Sequence, residues 1–127
     1  MGANATNPSL GYVSVAQVVF NALLGAANVF QDLDLSAYVG ANKVLCKFQV
    51  TQVGGGGGGT FVMKPRGLGG IVGEHIGVWG AGSITLTGGY FGYIVCETDD
   101  DGFVEIGGAF NVNVNTIIFL GYVNNLG

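Results

Sequence analysis

From Lys43 to Val53 the side chains alternate: Val44, Cys46, Phe48 and Val50 fall to one side, and Lys43, Lys47, Gln49 and Thr51 to the other. A strand sends successive side chains to opposite faces, so a period of two predicts a half-buried strand and opposes a helix. The same period returns in Phe110, Val112 and Val114, set between Asn111, Asn113 and Asn115. Thr116 to Val123 differs. Ile117, Phe119 and Val123 form one apolar face, and Ile118, Leu120 and Tyr122 the other. A strand wet on neither face is expected between two layers or against a partner.

Further strands are expected at Val18–Leu24, Val29–Leu35, Thr60–Lys64, Ser83–Thr87, Tyr90–Glu97 and Phe103–Ile106. Gly25-Ala26-Ala27-Asn28 separates the first two, and Pro65 should stop the third. Gly88-Gly89 between Ser83–Thr87 and Tyr90–Glu97 has the form of a two-residue hairpin turn. Thr98-Asp99-Asp100-Asp101-Gly102 also reads as a turn. Helical signal is confined to one turn at Ser36–Val39 and a weaker alternative over Gln17–Ala27, where Val18, Val19 and Phe20 favour strand. About eight short strands joined by glycine-rich turns predict an all-β fold, a jelly-roll-like antiparallel β-sandwich. Residues 1–15 would be an N-terminal arm or lead-in to the first strand, and residues 16–127 the sandwich. No repeat period suggests a solenoid or propeller.

Composition narrows the function. Charged residues are 9% of the 127, against roughly a quarter in an average soluble domain, and glycine supplies 25 positions. No Asp, Glu, Lys, Arg or His occurs from Met1 to Gln31 or from Ile106 to Gly127. Four basic residues and a net charge of −4 do not suit a nucleic-acid backbone. So little surface charge suggests a surface covered in an assembly. Leu10 to Phe30 has the length of a membrane span, but Ser14, Gln17, Asn21 and Asn28 interrupt it and no basic residue flanks it. The start lacks the basic region of a signal peptide. Synthesis in the cytoplasm and no membrane partner are therefore expected.

Motifs for chemistry are weak. Gly54–Gly59 lacks the Lys-Ser/Thr pair of a phosphate loop, and Gly67-Leu68-Gly69-Gly70 lacks dinucleotide-binding spacing. Three consecutive aspartates are expected to point different ways in a solvated turn, a poor calcium loop. His75, the single histidine, has Glu74 beside it but no nucleophile context. Cys46 and Cys96 lie in separate apolar runs and read as buried thiols, a disulfide between strands being the alternative that a cytoplasmic product does not favour. No catalytic residue, metal or cofactor is expected. Candidate interface residues are Leu10, Tyr12, Lys64, Arg66, His75 and Trp79, with Lys64 and Arg66 suited to an acidic partner surface or to a solvated basic pair. Trp79, Tyr90, Phe91 and Tyr93 suit a sugar-binding face, although in a sandwich such aromatics more often serve core or interface. The long segment 67–82, rich in glycine around His75 and Trp79, is expected to be functional or ordered by a partner.

Three stretches carry a resemblance. Phe30-Gln31-Asp32-Leu33-Asp34-Leu35-Ser36 with Val39-Gly40-Ala41-Asn42 leads into Lys43-Val44-Leu45-Cys46. Tyr93-Ile94-Val95-Cys96-Glu97-Thr98-Asp99 is followed by Gly102-Phe103-Val104-Glu105. The chain then closes on Asn115-Thr116-Ile117-Ile118-Phe119-Leu120-Gly121-Tyr122-Val123. Together they resemble a β-sandwich module of tailed-bacteriophage virion proteins, over about Val18 to Val123. Two departures stand out: Ile106 occupies a position that is often Trp in such modules, and the six-glycine and 67–82 loops are not typical. The resemblance implies a structural virion role without catalysis. The specific expectation is a capsid decoration (cement) protein on the capsid exterior, self-associating as a homotrimer and bound to the major capsid protein. Residues 1–11 and 67–82 would make the lattice contacts. A head-fibre or tail/baseplate module binding a receptor or glycan is the alternative.

Overall fold

The computed structural model describes residues 12–22, 29–52, 59–68, 81–86, 91–108 and 114–123. These form strands β1 (Tyr12–Phe20), β2 (Gln31–Asp34), β3 (Leu45–Gln52), β4 (Gly59–Pro65), β5 (Gly82–Leu86), β6 (Phe91–Glu97), β7 (Phe103–Gly108) and β8 (Val114–Val123). One helical turn, α1 (Ser36–Val39), follows β2.

Pairing follows one rule. β1 bonds to β8, β2 to β7, β3 to β6 and β4 to β5, all antiparallel, as in a ribbon folded in half between β4 and β5. Rolling the ribbon adds β3–β8 and β4–β7 and closes two sheets, ordered β1-β8-β3-β6 and β2-β7-β4-β5. This is the jelly-roll order, two four-stranded sheets packed face to face.

The topology corrects the expected hairpin across Gly88-Gly89. β5 and β6 belong to different sheets: β5 bonds to β4, and β6 to β3. Residues 87–90 lie outside the described residues. The physical reason is pairing on both sides. Ile94 and Cys96 of β6 align with Phe48 and Cys46 of β3, completing buried rows that a local hairpin would have broken. The first strand also runs Tyr12–Phe20 rather than Val18–Leu24, beginning within the stretch read as an arm or strand lead-in.

The core lies between the sheets. Phe48, Val50, Phe61, Met63, Val104, Ile106, Ile117 and Phe119 are fully buried. Phe48 stacks on Phe119 at 5.1 Å between ring centroids, and the Tyr38 ring meets Phe119 edge-on at 5.7 Å. Burying several such side chains, each contributing about 1.5–3 kcal/mol, is the main stabilising term. β8 carries a register shift where Lys47 faces Gly121 and Phe48 faces Phe119. The extra residue moves Tyr122 to the core side, where its hydroxyl donates to the Tyr38 carbonyl at 3.1 Å. The simple alternation expected for Thr116–Val123 therefore holds only as far as Leu120.

One end of the sandwich is closed by α1 and the β6–β7 turn. Asp34 Oδ1 accepts bonds from the Ser36 N–H (2.8 Å) and hydroxyl (2.6 Å), starting the helical turn. The Leu35 N–H donates to the Gly102 carbonyl at 3.0 Å. Gly102 has φ +83°, and a Cβ there would lie 2.2 Å from the Gly40 carbonyl, so both conformation and space require glycine.

Candidate assembly surface

The two sheets present different outer faces. On the β1-β8-β3-β6 sheet, register builds continuous rows. Val18, Ile118, Gln49 and Tyr93 form one row; Ser14, Gly121, Lys47 and Val95 form the next. Phe91 aligns with Thr51 and Thr116 on one side of these, and Tyr12, Val123, Leu45 and Glu97 close the other. Tyr12 is 54% exposed, Val18 53%, Phe91 58%, Tyr93 51% and Val95 46%. Five large apolar side chains with half their surface in water on one sheet face are a feature of association sites. Phe91 and Tyr93 stand edge to face at 5.9 Å and 87°. Lys47 is the one cation in these rows, its Nζ 5.3 Å from the Tyr93 ring centroid. Tyr12 lies across Gly121, whose missing side chain leaves room for the phenol ring.

The outer face of the β2-β7-β4-β5 sheet is covered and charged. Val62 and Lys64 point away from the inter-sheet core yet are buried. Phe30 lies over this side: a Cβ on Gly107 would come 3.0 Å from its ring, and Lys64 Nζ sits 4.3 Å from its centroid. Lys64 also pairs with Glu105 at 2.8 Å and donates to the Leu68 carbonyl. Asp32, Glu105 and Lys64 form one cross-strand row.

Arg66 completes this charged region. Its Nε bonds to Asp99 at 2.8 Å and its Nη2 to Asp101 at 2.7 Å, while its guanidinium carbon lies 3.8 Å from the Phe103 ring centroid. Burial pushes the Asp99 carboxyl upward, but the Phe103 and Asp101 N–H groups and the Arg66 guanidinium outweigh it and hold Asp99 below the ordinary carboxylate range. Asp34 is lowered by its bonds to the Ser36 hydroxyl and N–H.

Two sequence expectations change here. Lys64 and Arg66 were expected to face an acidic partner or to stand as a solvated basic pair; their charges pair inside the chain, because Lys64 lies beside Glu105 and Arg66 beside the aspartate turn. The three aspartates were expected to diverge. Asp99 and Asp101 converge on Arg66, whose guanidinium holds the place a cation would take. Tyr12 does lie on an exposed face. Leu10, His75 and Trp79 lie outside the described residues, as do Phe110 to Asn113. Phe91 and Tyr93, read as core, interface or a sugar-binding face, lie exposed on this sheet, and Val95 was not singled out. The signal was present, since Phe91–Glu97 is apolar on both faces in the same way as Thr116–Leu120.

Among the described residues no helix is long and apolar enough to cross a membrane. No protein-family model matches the chain, and no curated protein matches it.

Proposed function

We propose that this chain is a structural protein of a tailed-bacteriophage virion, a decoration protein on the capsid exterior that reinforces the major capsid protein lattice. The observation that carries the reading is the apolar outer face of the β1-β8-β3-β6 sheet, left in water on a chain whose other sheet is covered and charge-paired. The similarity of the three sequence stretches to phage virion modules supports it. In this reading the bare face packs against a neighbouring copy within a homotrimer. Residues 1–11 and 67–82 contact the capsid. A trimer binding at several points gains apparent affinity without stronger individual contacts. Binding only the assembled shell shifts the equilibrium toward it.

The alternative, a receptor- or glycan-binding head-fibre or tail module, draws on the same exposed aromatics. Phe91 and Tyr93 meet at 87°, however, and do not form a flat platform for a sugar ring. The test is add-back to expanded capsids stripped of decoration. Wild-type protein should bind to saturation and raise the temperature of capsid disruption, and a chain lacking residues 1–11 should bind more weakly. Absence of wild-type binding, together with retention on a glycan array, would transfer support to the alternative.

A further inference from the structure

Cys46 on β3 and Cys96 on β6 are direct partners in the antiparallel ladder. Both point into the core, with Cys46 1% exposed and Cys96 fully buried. Both are free thiols. Directly opposed residues on antiparallel strands have Cα atoms about 4.5 or 5.5 Å apart, depending on the type of pair. Either spacing lies within the roughly 4.4–6.8 Å range that a disulfide spans. The two side chains share a face; each thiol now points to a carbonyl near it in sequence, Cys46 Sγ to Val44 at 4.0 Å and Cys96 Sγ to Glu97 at 3.2 Å, so closing the bond takes side-chain rotation on strands already in register.

We propose that Cys46 and Cys96 are a latent cross-strand disulfide, closed by a small-molecule disulfide such as oxidised glutathione while the β3–β6 ladder is forming. One cysteine thiolate attacks a glutathione sulfur, forming a mixed disulfide and releasing one glutathione thiolate. The second cysteine thiolate then attacks the protein sulfur of that mixed disulfide and releases the other glutathione. The two thiol protons finish on the two reduced glutathiones.

The bond has a structural consequence. β6 is an edge strand of its sheet and carries Phe91, Tyr93 and Val95. A one-residue slip of β6 would turn that apolar set inward and bring Ile94 and Cys96 outward. A covalent link to the interior strand β3 fixes the register. The pair does not depend on what the outer face binds.

Timing follows from burial. Once folded, the thiols are out of reach of reagents, and desolvation pushes Cys46 up to about 12 and Cys96 higher still, so little thiolate exists to attack. Oxidation belongs to folding, before the core closes.

The experiment uses the whole chain, unfolded under reducing conditions and refolded in oxidised and reduced glutathione. Mass spectrometry, after alkylation in denaturant, counts the free thiols. The expected product is monomer-length chain lighter by two hydrogens, unalkylated, folded by circular dichroism and melting about 10 °C above the reduced form. Already folded, reduced protein placed in the same buffer should keep both thiols. The proposal is overturned if refolded protein retains two free thiols, carries glutathione, links between chains, or closes the bond only in an unfolded product.

Discussion

The two sheets each have four antiparallel strands but present opposite outer surfaces. On the β2-β7-β4-β5 sheet every described basic side chain has an acidic partner: Lys64 holds Glu105, and Arg66 holds Asp99 and Asp101. Phe30 covers part of that face. On the β1-β8-β3-β6 sheet, valines and aromatic rings stand half in water. The fold needs only one buried face per sheet, and both sheets supply it to the common core. An apolar outer face is therefore unnecessary for folding, and in the proposed reading the bare sheet is the one that meets another copy. The difference teaches where to separate stability from association: substitutions on the covered sheet should act on folding, and those on the bare sheet on assembly.

The largest effect is expected on the covered sheet. Lys64→Ala leaves Glu105 without its buried partner and removes the cation beneath Phe30, at a cost of about 3–5 kcal/mol in urea unfolding. Replacing both charges, Lys64→Met with Glu105→Leu, should recover most of that loss, because no charge is then stranded. Equal losses in the single and double variants would mean that packing, not pairing, dominates this face.

Gly102→Ala comes next. A left-handed backbone and a Cβ pressed against the Gly40 carbonyl should cost about 2 kcal/mol, read as a lowered melting temperature. It tests the end of the sandwich, where α1 and the β6–β7 turn meet, so it should leave native mass unchanged.

The acid response is smaller. Asp99 titrates lower in the folded chain than in the unfolded one. Its contribution is therefore fully present above the unfolded value of about 4 and is lost as pH falls through the folded value. Asp99→Asn should lower stability at neutral pH by about 1–2 kcal/mol. It should also flatten the decline of melting temperature in acid. An unchanged acid slope would remove the Arg66 cluster from the account of stability.

Much of this was legible in the residues. The alternation around Cys46, Phe48 and Val50 and the turn at Asp99–Gly102 read directly, because both are set by neighbours in sequence. Which strands pair was not legible. The glycine pair at 88–89 signals a turn, but whether a turn returns to the same sheet depends on rows completed by strands far away in the chain. Ile94 and Cys96 needed Phe48 and Cys46, and the local signal yielded. The candidate surface was half legible. Scarce charge pointed to covered surface, yet it also drew attention to Lys64 and Arg66 as free cations. Their partners, Glu105, Asp99 and Asp101, lie more than thirty residues away and become visible only when β7 pairs with β4. Phe91 and Tyr93 stayed open between core, interface and a sugar-binding face, because an aromatic residue in a sandwich strand suits any of these and only the register shows which face it takes.

The smallest effect on folding should be the largest on assembly. Phe91→Ser combined with Tyr93→Ser alters only exposed side chains and should change unfolding free energy by no more than about 0.5 kcal/mol per site. The direct measurement is the native mass of wild type and this double variant by size exclusion with light scattering, each also followed by thermal melting. Wild type should run as a multimer, expected to be a trimer, and the variant as a folded monomer with nearly the same intrinsic stability. A monomeric wild type, or a variant that keeps the wild-type mass, would contradict the assignment of the bare sheet as the association surface.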